Sequence, residues 1–185
     1  MTELPSYLSA GQQARLFSSL KLSNKEQIAT ATLLAVFRLV PELLSQLISD
    51  TGVRINDRTK FDAYTEVNLT KSKTEKKDRP DGFICVKNRN EWTALVEAKV
   101  GNSSLSTDQV VRYVEDAKAN GINAVITISN EFTPRVEQSP INIPKRLLTK
   151  VKLYHLSWRL ILSTAILTRN RTDIDDREKL FVLES

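Results

Sequence analysis

Pro80-Asp81-Gly82-Phe83-Ile84-Cys85-Val86-Lys87-Asn88-Arg89-Asn90-Glu91-Trp92-Thr93-Ala94-Leu95-Val96-Glu97-Ala98-Lys99-Val100 is the stretch on which the reading of this chain turns. Two β-rich runs, Phe83 to Val86 and Trp92 to Val100, flank the polar loop Asn88-Arg89-Asn90, which predicts an antiparallel hairpin. Centring that loop on Arg89 places Asp81 opposite Glu97. Directly opposed side chains in such a ladder have Cβ atoms about 4.5–5.5 Å apart, so two carboxylates meet. Strand side chains alternate between faces, so Lys99, two residues beyond Glu97, shares its face. Leu95, Val96 and Val100 make the strand core-like, and charges inside such a strand need a partner or a metal. The competing reading of Glu97-Ala98-Lys99 is an exposed charged face, and burial of residues 97 and 99 discriminates between the two.

The elements around the hairpin follow from spacing. Ser23-Asn24-Lys25-Glu26 has the form of a capping box, and apolar residues at 28, 29, 33, 36, 37 and 40 predict a long helix after it. Pro41 starts a second, kinked helical segment over 42–48, and Asp50-Thr51-Gly52 ends it. Residues 53–69 contain a first strand, with Phe61, Tyr64, Val67 and Leu69 as strand positions. After the hairpin, Ser106-Thr107-Asp108-Gln109 is a second capping signal, followed by Val110, Val114 and Ala117 on one helical face and a stop at Asn120-Gly121. Ile122 to Ile128 reads as a strand buried on both faces, and Val151 to Leu156 as another, with a proline-marked loop between them. A last helix is predicted over about 157–167, followed by a charged stretch from Arg169. These elements predict an α/β fold with a mixed central sheet of about five strands flanked by helices. Residues 1–22 read as an N-terminal extension, 23–168 as the domain and 169–185 as a tail. The apolar run at the end of the chain leads to the expectation that the polypeptide continues in a longer protein.

Composition narrows the chemistry. The chain has 185 residues, 41% hydrophobic and 26% charged, with one cysteine, one histidine and five glycines. Cys85 alone cannot form an internal disulfide or a structural zinc site. With His155 as the single histidine, two-histidine ribonuclease chemistry and imidazole-rich metal sites are excluded, so metal chemistry must use carboxylates. No Gly-rich Lys-Ser/Thr phosphate loop is present. The most apolar stretch, 28–40, is shorter than the roughly 20 residues of a membrane span, and no secretory signal opens the chain. The expectation is a cytoplasmic protein with no membrane partner. The net charge is +5. Lys71, Lys73, Lys76, Lys77 and Arg79 crowd just before Asp81, either as a solvated loop or as a nucleic-acid-binding cluster that neutralises phosphates.

Arg79-Pro80-Asp81-Gly82 followed by Glu97-Ala98-Lys99 resembles the PD-(D/E)xK motif of the restriction-endonuclease-like superfamily, over roughly residues 23–160. Gln109 and Tyr113, four apart on one helix face, resemble the Q-x-x-x-Y motif of its recombination-nuclease branch. The resemblance implies a restriction-endonuclease-like sandwich and a nuclease that uses Mg²⁺ or Mn²⁺ on nucleic acid, with DNA implied by the family. It implies metal ligands at Asp81, Glu97 and the backbone carbonyl of Ala98, with Glu26 as a further acidic residue facing the metal. It also implies active-site roles for Lys99, Gln109 and Tyr113. Lys99 could stabilise charge on the phosphate or position and help deprotonate the attacking water. Alternatives stay open: Gln109 as a capping partner of Ser106, Tyr113 as core, Glu26 as a cap with Ser23, and Glu66 in place of Glu26. His155 reads as a structural residue at a strand end, and Trp92 and Trp158 as packing. A symmetric homodimer would suit cutting both strands of a duplex. The rival function is a nucleic-acid-binding or assembly module on the same fold without catalysis.

Overall fold

A computed structural model describes residues 4–15, 24–56, 59–71, 79–170, 179 and 182–183. Six strands form one mixed sheet in the spatial order β1-β2-β3-β4-β5-β6: β1 (Leu8–Gln13), β2 (Lys60–Leu69), β3 (Gly82–Lys87), β4 (Glu91–Ala98), β5 (Ala124–Ser129) and β6 (Lys152–Ser157). The first four pair antiparallel, and β4, β5 and β6 run parallel. Four helices flank it: α1 (Lys25–Leu39), α2 (Pro41–Leu47), α3 (Thr107–Asn120) and α4 (Trp158–Arg169). The predicted α/β class and mixed sheet are thus observed, with one strand more than expected.

That extra strand lies in the stretch set apart as an N-terminal extension. Leu8-Ser9-Ala10-Gly11-Gln12-Gln13 has no β-branched residue and no clean alternation, so its own propensity gives no strand signal. The open backbone edge of β2 supplies the pairing instead. Val53 to Asn56 and Thr59 are not strand, and β2 begins at Lys60.

The hairpin has the expected register, with Lys87 opposite Glu91 and Gly82 opposite Val96 on either side of Arg89. Alternation along it separates two cores. Ile84, Val86, Ala94, Val96 and Ala98 face a cluster with Leu34 and Phe37 of α1 and Leu43 and Leu44 of α2, to which α4 adds Ile161. Phe83, Cys85 and Leu95 face the other way, onto Val110, Tyr113, Val114 and Ala117 of α3. All six residues of β5 are buried, as a central parallel strand covered on both faces requires.

Chain punctuation explains the helix limits. Asn24 caps α1, its side chain accepting from the Glu26 N–H; Ser23 lies outside the described residues. Pro41 opens α2, and the two helices meet at 103°. Ser106 caps α3, and Gly121 at φ 73° closes it in the left-handed conformation that a side chain would strain. No single helix among the described residues is long and apolar enough to cross a membrane. The tail folds back in part: Lys179 pairs with Glu42, and Val182 and Leu183 pack on the α1–α2 core.

Candidate active site

The β3–β4 ladder ends at Gly82 and Val96, whereas β4 continues beside β5 as far as Ala98. Just past Gly82 the chain has left the sheet, and the Asp81 side chain replaces the ladder by accepting the Ala98 N–H through Oδ2 at 2.8 Å. Glu97 and Lys99 stand beside it at the C-terminal end of β4, where the sheet changes from antiparallel to parallel pairing. The result is a cleft of about 160 Å³ lined by Glu66, Arg79, Asp81, Glu97, Lys99 and Gln109 among others.

Burial separates this site from a solvated charged face. Glu97 is 1% exposed, and the side chain of Lys99 is 16% exposed. The Lys99 ammonium donates to Glu97 Oε1 at 2.8 Å and lies 3.4 Å from Glu26 Oε2 at the start of α1. Helix α1 therefore reaches the site through the lysine. It stands close because Gly82 has no side chain: a Cβ there would lie 2.3 Å from Leu34 Cδ1 and 3.1 Å from the Tyr64 carbonyl oxygen.

From the opposite face, Gln109 Nε2 donates to the Tyr113 hydroxyl at 2.9 Å, which donates to the Arg79 carbonyl oxygen at 3.0 Å. Tyr113 is fully buried, so it is a core residue and also the tether of the segment leading into Asp81. Ser106 accepts from the Gln109 backbone N–H, and the Gln109 side chain is committed to Tyr113.

The electrostatics are those of carboxyls short of water. Burial, and after it the Asp81 carboxylate, push the Glu97 carboxyl up to about 7, against the opposing pull of Lys99 and Tyr113. Burial also raises Asp81, although the Ala98 N–H and Lys99 favour its charged form. For Lys99, burial would lower the pKa, but the Glu97 hydrogen bond and the surrounding carboxylates outweigh it and hold the amine above its usual value. In this arrangement the Lys99 ammonium is a hydrogen-bond donor, to Glu97 and Glu26.

One oxygen is left over. Glu97 Oε2 is buried without a hydrogen-bond partner, although buried polar atoms are normally satisfied. The Tyr113 hydroxyl donates to the Arg79 carbonyl and also interacts with the Glu97 carboxyl as a hydrogen-bond partner that favours its charged form. Among the described residues, no three Asp, Glu, His or Cys side chains converge on one point. The groups here that could offer oxygen to a cation are two carboxylates, Asp81 and Glu97, with the backbone around Ala98. This suits a hard divalent ion such as Mg²⁺, which commonly takes one or two carboxylates and completes its shell with water and phosphate oxygens.

Not every candidate comes to the cleft. Lys73, Lys76 and Lys77 lie outside the described residues; Lys71 is exposed beyond the end of β2, its backbone held by Asn120, and does not line the cleft. Arg79 does line it, and pairs with Glu66. His155 is buried. Its Nε2 bonds the Glu131 carbonyl and its Nδ1 the Thr127 hydroxyl, and burial lowers its pKa, so it is a neutral structural residue. Trp158, read from sequence as packing, has a further part: its indole N–H donates to the Lys99 carbonyl at 2.8 Å. No periodicity marks that bond, because it joins a helix start to a strand end 59 residues away.

Comparison with known proteins finds no family model and no curated sequence that matches the chain.

Proposed function

We propose that the chain is a Mg²⁺- or Mn²⁺-dependent nuclease of the PD-(D/E)xK type, on a restriction-endonuclease-like fold, that hydrolyses phosphodiester bonds of DNA. The observation that carries the proposal is the buried, half-satisfied Glu97 carboxylate beside Asp81 and Lys99 at one open end of the sheet. Asp81, Glu97 and the Ala98 carbonyl would hold the cation. When bound, it supplies a Lewis acid that polarises the phosphate and lowers the pKa of water.

The remaining work falls to the protein. Lys99, kept charged by its carboxylate neighbours, donates to the phosphoryl oxygen on which charge builds as water attacks phosphorus and the P–O ester bond breaks. Of the two tasks the sequence left open, charge stabilisation and positioning or deprotonating the attacking water, we assign charge stabilisation to Lys99. Glu26 steadies Lys99 from α1. Tyr113 and Gln109 hold the Arg79 carbonyl and so fix the turn that presents Asp81.

The test is cleavage of plasmid and linear DNA, duplex and single-stranded, with Mg²⁺, Mn²⁺ or EDTA. Wild type is compared with Asp81→Ala and Lys99→Ala. Metal-dependent cutting that falls at least about a hundredfold in both folded variants supports the proposal. Salt-sensitive binding without cutting by wild type would replace it with the non-catalytic binding module. Neither binding nor cutting would leave no nucleic-acid function.

A further inference from the structure

Glu66 is the only non-glycine among the described residues with a positive φ, 55°. That conformation is uncommon for a residue with a Cβ, and it persists where the surroundings impose it, often at functional sites. Here the cause is a β-bulge. Ala10 pairs with Asn68 and Gln12 with Thr65, so β2 spends one residue more than β1 between those pairs. Bulges of this kind re-aim a side chain. Glu66 follows Thr65, the last β2 residue paired with β3, and lines the same cleft as Asp81, Glu97 and Lys99.

The bulge brings the Glu66 carboxylate onto the guanidinium of Arg79, whose side chain is 39% exposed at the mouth of the cleft. Arg79 is fixed at its other end, because Tyr113 bonds its carbonyl and Pro80 follows it. Among the described residues, both cations lining the cleft are already engaged, Lys99 by Glu97 and Glu26 and Arg79 by Glu66. Arg79 is the more exposed of the two and has the fork geometry that matches a phosphate.

Resting on the nuclease reading, we propose that Arg79 binds a backbone phosphate next to the scissile bond. Glu66 is a placeholder: it holds the guanidinium at the cleft mouth until phosphate displaces it. Glu66 is then a positioning residue that competes with substrate, and removing its charge tightens binding.

Glu66→Gln keeps the side-chain shape and the same backbone conformation, so it isolates the charge. Binding of a fluorescent DNA duplex is measured by anisotropy in Ca²⁺, and cleavage in Mg²⁺, for wild type, Glu66→Gln, Arg79→Ala and the double variant. Glu66→Gln should lower Kd and KM roughly two- to fivefold, the worth of a partly exposed ion pair, and leave kcat within about twofold. Arg79→Ala should raise Kd, and on that background Glu66→Gln should have no effect. Weaker binding, a large fall in kcat, no change at all, or an equal effect in the Arg79→Ala background would each overturn the proposal. If wild type neither binds nor cuts, the nuclease reading fails first and takes this proposal with it. If wild type binds and cuts but the cycle shows no coupling, this proposal alone fails.

Discussion

Replacing Glu97 by Gln should stabilise the metal-free protein above neutral pH, and the size of the effect follows from the site. Glu97 is 1% exposed, and burial, with Asp81 beside it, carries its carboxyl from 4.5 to about 7. A folded-state pKa above the unfolded one means that the folded chain binds the extra proton between those values. The associated stability is fully present below about 4.5 and is lost as the pH rises through about 7. At 1.36 kcal/mol per pH unit the loss is about 3 kcal/mol at most. Asp81, raised in the same direction by burial, adds to the slope in both proteins. Urea denaturation in EDTA from about pH 5 to pH 8.5 reads this directly. Wild type should lose stability across the range, and Glu97→Gln should lose less. The two should be nearly equal at the acid end and differ by up to about 3 kcal/mol at the alkaline end. Mg²⁺ should then raise the wild-type Tm around pH 8 and raise that of the variant less. A variant less stable than wild type at alkaline pH would refute the reasoning. The Glu97–Lys99 pair would then stabilise the fold by more than its desolvation costs, and the carboxylate would not be held in reserve for a cation.

Gly82→Ala should destabilise the fold by about 1–3 kcal/mol in the same assay, because its Cβ collides with Leu34 in a full core. Cleavage should fall with it as α1 is displaced from Lys99. Tyr113→Phe leaves Gln109 Nε2 and the Arg79 carbonyl without their shared hydroxyl. It should cost about 1–3 kcal/mol, and a smaller Mg²⁺-induced rise in Tm should accompany it, since the segment carrying Asp81 is no longer tethered. Cys85 is buried, and burial followed by Glu91 pushes its thiol up to about 12. Alkylation at around pH 8 should therefore be negligible in the native protein and become fast only in denaturant.

The legible part of the structure was the part written in local code. The hairpin register came out as expected from Gly82–Val96 to Lys87–Glu91, since a polar loop and alternation leave little freedom once both faces of the strands are buried, but the expected Asp81–Glu97 pair lies beyond the end of the ladder. Helix α3 was bounded correctly by Ser106 and Gly121, whose capping roles need only a few neighbouring residues. Where the same cues were weak, the reading slipped. The capping signal before α1 pointed to Ser23, whereas Asn24 makes the cap. Strand β1 was missed because its pairing comes from β2 rather than from its own residues.

At the site, the expected hairpin register put Asp81 beside Glu97, strand alternation put Lys99 on the same face, and helical spacing put Gln109 beside Tyr113. Which way those side chains would be spent was not written locally. Glu26 and Glu66 both stood as candidates for a supporting acid, and only the packing separated them: α1 brings Glu26 to Lys99, and a bulge turns Glu66 to Arg79. The basic run before Asp81 likewise looked uniform, yet within the described residues Arg79 lines the cleft and Lys71 does not.

The sequence by itself determined the period of the helices and of the strands after β1, the hairpin and the convergence of two carboxylates and an amine, because these depend on contacts a few residues apart or on one strand pair. The tertiary structure alone decided that Glu97 is buried, that Trp158 holds the Lys99 carbonyl, that a sixth strand covers the edge of β2 and that Glu66 faces Arg79. Each of these joins elements that are not neighbours in the chain's local pattern, through packing across the sheet or pairing along its edge, which no local pattern encodes.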